Sequence, residues 1–179
     1  MRQKGLRIVL IVVSGLLAGV VPPAFATCNC TTAILGTNGA DSITGTSAAE
    51  CIYGRDGDDY LNGADGNDCI FGEGGNDTSV GGFGNDTLND DAGSDTAYGD
   101  EGSDDIFTHQ EVDHQYGGNS DDFMTGGSGG DVMSGNGGYD TLWGEKDNDS
   151  LTGGNGIDSC DGGTEIDTCD CESEVNCEF

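Results

Sequence analysis

Fourteen aspartates in this 179-residue chain recur at intervals of nine or a small multiple of nine, and their carboxylates are the residues best placed to do chemistry. They are Asp41, Asp59, Asp68, Asp77, Asp86, Asp95, Asp104, Asp113, Asp122, Asp131, Asp140, Asp149, Asp158 and Asp167. Each fills the sixth place of a nine-residue unit, and the units run in register from Gly36 to Phe179, sixteen in all, with Glu50 and Asn176 as the two exceptions at that place. Carboxylates surrounded by glycine-rich backbone offer oxygen and nothing softer. A hard cation with six to eight oxygen ligands, calcium, suits that donor set; magnesium would keep its water and ask for a stricter octahedron, and thiophilic metals have no reason to choose it.

The rest of the unit must position these carboxylates. It reads G-x-x-G-x-D-x-U-x with U apolar, as in GRDGDDYLN (54 to 62), GADGNDCIF (63 to 71) and GGFGNDTLN (81 to 89). Gly at places one and four opens backbone angles closed to other residues, so six residues can make a tight turn with carbonyls converging. The last three form a short strand, with place eight pointing inward and places seven and nine outward. One turn and one strand reverse the chain, so a full coil takes two units, 18 residues. Stacked coils about 4.8 Å apart would give a rod of roughly 38 Å, all-β and parallel. The inward column is Ile43, Ile52, Leu61, Ile70, Ser79, Leu88, Ala97, Ile106, Gln115, Met124, Met133, Leu142, Leu151, Cys160, Cys169 and Glu178. Such a thin core does not hold a rod alone.

These units resemble the RTX, or haemolysin-type, calcium-binding nonapeptides, whose pattern is G-G-x-G-x-D-x-U-x, found in secreted bacterial toxins, proteases and lipases. The resemblance implies a parallel β-roll, a β-solenoid of about eight 18-residue coils, with calcium between turns. It departs from many members of that family in having no visible enzyme or toxin domain beside the repeat. A site then needs aspartates 18 residues apart on one edge. One edge offers Asp41, Asp59, Asp77, Asp95, Asp113, Asp131, Asp149 and Asp167; the other offers Asp68, Asp86, Asp104, Asp122, Asp140 and Asp158. Neighbouring pairs number seven and five, at most 12 sites. Intact glycines on both turns single out Asp41/Asp59, Asp59/Asp77, Asp68/Asp86, Asp86/Asp104 and Asp140/Asp158. The unit THQEVDHQY (108 to 116) lacks both glycines, so a defect or missing ion is expected there, and Asp113 is left out of the expected ligand set.

Arg2, Lys4 and Arg7 precede an apolar run, Ile8 to Val21, that ends near Ala24-Phe25-Ala26: a secretory signal peptide cut after Ala26, and an extracellular protein. A membrane anchor is the competing reading, but the run is short for a span. Beyond residue 26 only Arg55 and Lys146 face 34 acidic residues, a net charge of 2 − 34 = −32. A polyanion of this kind repels nucleic acid and anionic membranes. By charge and hydropathy alone it would be disordered; neutralising cations reverse that, so calcium-coupled folding is expected, with affinity in the extracellular range of roughly 10⁻⁴ to 10⁻³ M. The layout is then a signal peptide (1 to 26), an N-terminal cap (27 to 35), the roll (36 to 170) and a C-terminal cap (171 to 179).

All eight cysteines lie beyond residue 26, an even number that points to disulfides rather than thiolate metal sites, since no pair of C-x-x-C hooks occurs. Cys51 and Cys69, both at place seven and 18 residues apart, lie on adjacent rungs and are the expected pair. Cys160, Cys169, Cys171 and Cys177 would form two bonds at the C-terminal cap, and Cys28 and Cys30 would serve the N-terminal unit, with connectivity open.

Three other features carry competing readings. His109 and His114 sit together in the broken unit, where a metal or pH-sensing role is conceivable, but no third ligand is visible and surface polar residues are the simpler reading. Gly126-Gly127-Ser128-Gly129-Gly130 matches the G-x-S-x-G nucleophile elbow, yet the strand and helix an elbow requires are absent. Place nine carries Tyr53, Phe71, Phe107, Trp143 and Phe179 on even-numbered units, against Tyr98 and Tyr116 on odd ones; this makes one sheet face aromatic and able to take a glycan or another protomer, while strand propensity gives the same pattern. The expected function is a secreted, non-enzymatic calcium-binding protein that is structural or adhesive. An accessory or remnant of a secreted hydrolase or toxin is the alternative, with hydrolase activity of the calcium form as the discriminator. Ice binding would need a ladder of Thr and Asn at place three that Asn38, Ser47, Asp56, Asp65, Gly74 and Phe83 do not supply.

Overall fold

The computed structural model describes residues 28–177; the expected signal peptide, Glu178 and Phe179 lie outside them. The described chain is all strand and turn. Its strands are β1 (Thr32–Leu35), β2 (Ser42–Thr44), β3 (Glu50–Asp56), β4 (Tyr60–Asp65), β5 (Cys69–Gly74), β6 (Thr78–Phe83), β7 (Thr87–Asn89), β8 (Thr96–Glu101), β9 (Asp105–Gln110), β10 (His114–Asn119), β11 (Phe123–Ser128), β12 (Val132–Gly138), β13 (Thr141–Lys146), β14 (Ser150–Gly156), β15 (Ser159–Asp161), β16 (Thr168–Asp170) and β17 (Ser173–Val175). Odd-numbered strands make one nine-stranded sheet and even-numbered strands an eight-stranded one, each in serial order. Every pairing is parallel, and from β1 to β16 each residue pairs with the residue 18 positions on, as in Ile52↔Ile70 and Met133↔Leu151. The chain is a β-solenoid of about eight 18-residue turns, as its period requires.

The core is one residue wide. Ile52, Leu61, Ile70, Leu88, Ala97, Ile106, Met124, Leu142 and Cys160 are wholly buried, with Ile34, Met133 and Leu151 nearly so. Apart from Ile34, which precedes the first unit, this is the expected place-eight column; its polar members Ser79 and Gln115 are equally buried, while Ile43 and Cys169 near its ends are only partly so. Gln115 donates to Thr108 Oγ1 at 2.6 Å and to the Thr125 carbonyl at 2.7 Å, so one amide spans the core where an aliphatic chain would sit.

Most strands are longer than three residues. Typical ones hold six, places seven to nine and the first three of the next unit, so the turn shrinks to places four to six. The backbone bends sharply at two places in each regular unit, and these are places two and four. Arg55, Ala64, Glu73, Asp100, His109, Asn136 and Glu145, all at place two, have φ between 70° and 84°. Gly57, Gly66, Gly75 and Gly84 at place four have φ between 124° and 135°. Place-one glycines do not adopt positive φ, contrary to the expectation from sequence. Their requirement is space: a Cβ on Gly54 would lie 2.5 Å from Asp59 Oδ2 and 2.8 Å from the Gly72 carbonyl oxygen. A left-handed angle at a non-glycine residue costs about 1–2 kcal/mol. Ala64→Gly at φ 80° should therefore stabilise the calcium-loaded fold by about 1 kcal/mol, less the entropy glycine adds to the unfolded chain; thermal denaturation in saturating calcium checks it.

The ends depart from the sequence reading. Cys51 and Cys69 are register partners on neighbouring strands, yet they do not bond to each other. The segment before β1 crosses the outside of the nine-stranded sheet and pairs Cys30 with Cys51 and Cys28 with Cys69, with Cα separations of 5.5 and 6.0 Å. Cys28 and Cys30, two residues apart, meet two adjacent rungs, so each rung cysteine takes a partner from the strap above it. Opening the Cys30–Cys51 loop with a double Cys30→Ser/Cys51→Ser change should cost about 3 kcal/mol, read as a lower thermal midpoint in calcium. At the other end the repeat loses four residues: Cys160 pairs with Glu174 and Ser159 with Ser173, 14 positions on. Cys160–Cys171 and Cys169–Cys177 close the core there, as two bonds among the four expected cysteines.

Candidate calcium sites

On each edge the aspartates form a continuous ladder. The backbone N–H of Asp41 donates to Asp59 Oδ1, Asp59 to Asp77, Asp77 to Asp95, and so on through Asp113, Asp131 and Asp149 to Asp167, at 2.7–2.9 Å. On the other edge Glu50 donates to Asp68, and the series continues through Asp86, Asp104, Asp122 and Asp140 to Asp158 over the same range. Asp158 then donates to Glu172 Oε2 at 2.9 Å. The four-residue deletion thus puts Glu172, not Asn176, at the end of this column.

From Asp59 and Asp68 on, this bond fixes one oxygen of each carboxylate, and in twelve of those thirteen, all but Asp77, the other is buried with no partner. Oδ2 of Asp59, Asp68, Asp86, Asp95, Asp104, Asp113, Asp122, Asp131, Asp140, Asp149, Asp158 and Asp167 is buried without a hydrogen-bond partner. A buried unpaired anionic oxygen is costly unless a cation meets it. Beside it lie the place-one glycine of the same unit and, in regular coils, the carbonyl oxygen of the place-one glycine one coil on: a Cβ on Gly63 would sit 2.7 Å from the Gly81 oxygen, and one on Gly81 2.8 Å from the Gly99 oxygen. Carboxylate and carbonyl oxygens therefore converge on a cradle that any side chain would fill. Among the described residues no group of three or more His, Cys, Asp or Glu side chains converges to hold a metal by itself, so backbone carbonyls must complete a shell. An oxygen-only cradle of this composition fits calcium.

Burial raises ten of these carboxyls strongly. Asp68, Asp86, Asp95, Asp113 and Asp149 are pushed up to about 7 and Asp59, Asp104, Asp131 and Asp140 to about 6, first by loss of water, partly offset by the N–H from the coil before, and then by neighbouring carboxylates. Asp122 reaches about 8, with Asp104 and Asp140 adding to its burial. A calcium ion in the cradle would supply the positive charge that the chain itself lacks.

The expected site residues fall on these two edges, with differences at the start. Asp41 is only partly buried, and its Oδ2 accepts from Thr37 N–H at 2.5 Å and Thr37 Oγ1 at 2.9 Å. Glu50 is met likewise by Thr46 N–H at 2.9 Å and Thr46 Oγ1 at 2.6 Å. Threonine at place two thus closes each column with protein donors, and the cradles with unpaired oxygens begin at Asp59 and Asp68. In the unit 108 to 116 the ladder itself is intact, and Asp113, omitted from the expected ligands, is placed like its neighbours. The break is at Thr108, whose hydroxyl fills the place-one space and donates to the Gly126 carbonyl at 3.2 Å. Sequence reading also missed Asp90, whose signal was its place: an acid where a glycine belongs.

Other candidates resolve simply. His109 and His114 lie on strands of different sheets, β9 and β10, and form no pair. His109 Nε2 is 2.7 Å from Asn89 Oδ1. Ser128 ends β11 and donates to the His109 carbonyl at 3.3 Å, with no helix following it among the described residues. Both sheets carry paired rings: on the nine-stranded sheet Tyr53 stacks on Phe71 at 4.8 Å between centroids and Phe123 meets Phe107 at 5.9 Å and the edge of Trp143 at 5.0 Å, and on the eight-stranded sheet Tyr98 stacks on Tyr116 at 5.0 Å.

Compared with known families, the chain matches the RTX calcium-binding nonapeptide repeat over residues 34–61, 44–79, 80–114, 116–133, 125–160 and 134–168. It belongs to the RTX calcium-binding nonapeptide repeat family, and calcium is the ion its repeats are built to take. No curated protein matches it.

Proposed function

We propose that the chain is a secreted, non-enzymatic protein that folds on binding calcium and serves a structural or adhesive role outside the cell. The observation that carries this reading is the double row of buried, unpartnered Oδ2 atoms. The ligands would be the ladder aspartates Asp59, Asp68, Asp77, Asp86, Asp95, Asp104, Asp122, Asp131, Asp140, Asp149, Asp158 and Asp167, with Asp113 added and Asp41 relieved in part by Thr37. Calcium is abundant where secreted proteins work, and sites of the extracellular class fill there and stay empty in the cytosol. Four disulfides fit an oxidising compartment. The signal peptide over 1 to 26 belongs to this reading.

The aromatic face supports the adhesive part. Trp143, 46 % exposed, and its neighbours Phe123 and Phe107 form a cluster on the nine-stranded sheet. Aromatic rings on a flat sheet suit the apolar faces of a glycan or of a cell-surface partner. Retention of the calcium-loaded, oxidised protein on immobilised polysaccharides tests it. Saturable retention that chelator reverses and Trp143→Ala weakens supports adhesion; hydrolysis of any of the polysaccharides would contradict the non-enzymatic reading, and no retention would contradict adhesion to glycans.

A further inference from the structure

Asp90 occupies place one of its unit, where thirteen of the sixteen units carry glycine. It is completely buried, and its Oδ2 has no hydrogen-bond partner. Its Oδ1 accepts from the Gly72 N–H at 3.1 Å and from Ser79 Oγ at 2.7 Å. Ser79 is itself a departure, a wholly buried hydroxyl at place eight. The two exceptions to the repeat therefore meet.

Their meeting point is a cradle. A Cβ on Gly72 would lie 2.5 Å from Asp77 Oδ2 and 2.7 Å from Asp90 Oδ1. At Gly54, Gly63 and Gly81 the second oxygen is instead the carbonyl of the glycine one coil on, at 2.8, 2.7 and 2.8 Å. Asp90 thus brings a carboxylate to the spot where a neutral carbonyl stands elsewhere, with Oδ1, the oxygen that Gly72 and Ser79 bond, facing the cradle and Oδ2 left unpartnered behind it. Thr108, the neighbouring departure on the same edge, makes the contrast: its hydroxyl both donates to Gly126 and accepts from Gln115. Thr108 satisfies its own oxygen with protein partners, although Asp113 Oδ2 in the same unit stays unpartnered, whereas Asp90 adds an open anionic oxygen of its own, Oδ2.

We propose that Asp90 is a direct side-chain ligand for a calcium ion at the Asp77 cradle, and that this extra carboxylate makes it the tightest site of the roll. The proposal rests on the reading that the cradles hold calcium. Calcium affinity rises with the charge of the ligand set, and an uncompensated buried carboxylate gains most from a cation. The site lies inside the rod, between the third and fourth strands of the nine-stranded sheet, with coils on either side. The first ion would bind there, order the coils around residues 72 to 95, and let the roll grow both ways, because each coil is stabilised mainly by its neighbours.

The test is calorimetric titration of the full oxidised chain with calcium, together with circular dichroism in chelator. Two variants are compared with the wild type: Asp90→Asn, which keeps an acceptor for Ser79 and Gly72, and the double Asp90→Gly/Ser79→Ala, which restores the repeat and leaves no orphan hydroxyl. The expected result is that the wild type shows one ion bound ahead of the rest, and that both variants bind it about tenfold or more weakly, while later ions are unchanged. In chelator both variants should hold more β structure, because the buried anion is gone. Opposite movement of metal-free order and calcium affinity is the signature of a ligand. An unchanged first ion in both variants, or a loss of order with and without calcium, would show that Asp90 only fills and bonds the interior, and overturns the proposal. A wild type that binds calcium in a single affinity class also overturns it, leaving the calcium reading intact; a wild type that takes up no calcium removes both.

Discussion

Gly99→Ala is expected to remove one calcium ion from the Asp68 edge and to lower the stability of the loaded protein by about 4 kcal/mol, one of the largest effects available to a single methyl group here. The added Cβ would clash with Asp104 Oδ2 and lie 2.5 Å from the Gly117 carbonyl oxygen. Both oxygens are held by the fold: the Asp104 carboxylate accepts the Asp86 N–H at 2.8 Å, and the carbonyl belongs to a backbone paired on both sides. Overpacking of a rigid site costs roughly 1–3 kcal/mol. Loss of an ion present at a hundred times its dissociation constant removes about 2.7 kcal/mol more. Gly39→Ala is the control, since a Cβ there meets nothing within 4 Å; it should change stability by less than about 0.5 kcal/mol. Denaturation in saturating calcium and the stoichiometry from titration read both parts. Equal effects of the two substitutions would remove place-one glycine from the site.

The second large effect is pH dependence of the metal-free protein. Ordinary aspartate in the unfolded chain titrates near 3.8, while Asp68, Asp86, Asp95, Asp113 and Asp149 in the fold are raised to about 7 and Asp122 to about 8. Groups raised on folding take up protons when the chain folds. Stability of the calcium-free roll is therefore greatest at acid pH and is lost as pH rises from about 4 through 8. In chelator the chain should carry more β signal at pH 5 than at pH 8, and calcium should reverse the order by replacing protons on the same oxygens. The calcium midpoint should move to higher concentration as pH falls. Metal-free β structure that grows with pH would contradict the placement of these carboxylates.

The period told most of the fold. Aspartate at place six and an apolar residue at place eight fix an 18-residue coil, and Ile52, Leu61, Ile70 and Leu88 are buried where that coil puts them. What the period could not tell is why a glycine is present. Positive φ and close approach both select glycine, and the sequence reading assigned place one to the first when Gly54 and Gly81 serve the second. Place two, where Arg55 and Glu73 take the left-handed angle, gave no signal because its residues vary. The ends were hidden for a different reason. Cys51 and Cys69 are at bonding distance as rungs, but only the course of the strap decides that Cys30 and Cys28 reach them first. The last coil still reads in nines through Asn176, and only pairing of Ser159 with Ser173 shows that four residues are skipped. Asp90 was visible as an irregularity, but its meaning depended on Ser79, eleven residues away in sequence and in hydrogen-bond contact in the fold.

Calcium as the missing partner of the aspartate ladders is tested most directly by far-UV circular dichroism of the oxidised chain during a calcium titration, with magnesium as control. The expected result is little β signal in chelator at pH 8 and a cooperative rise to the full β signal with calcium at roughly 10⁻⁴ to 10⁻³ M, which magnesium does not reproduce. A β signal already complete in chelator at that pH would contradict it, because the four disulfides and the one-residue core would then suffice against two columns of buried carboxylates.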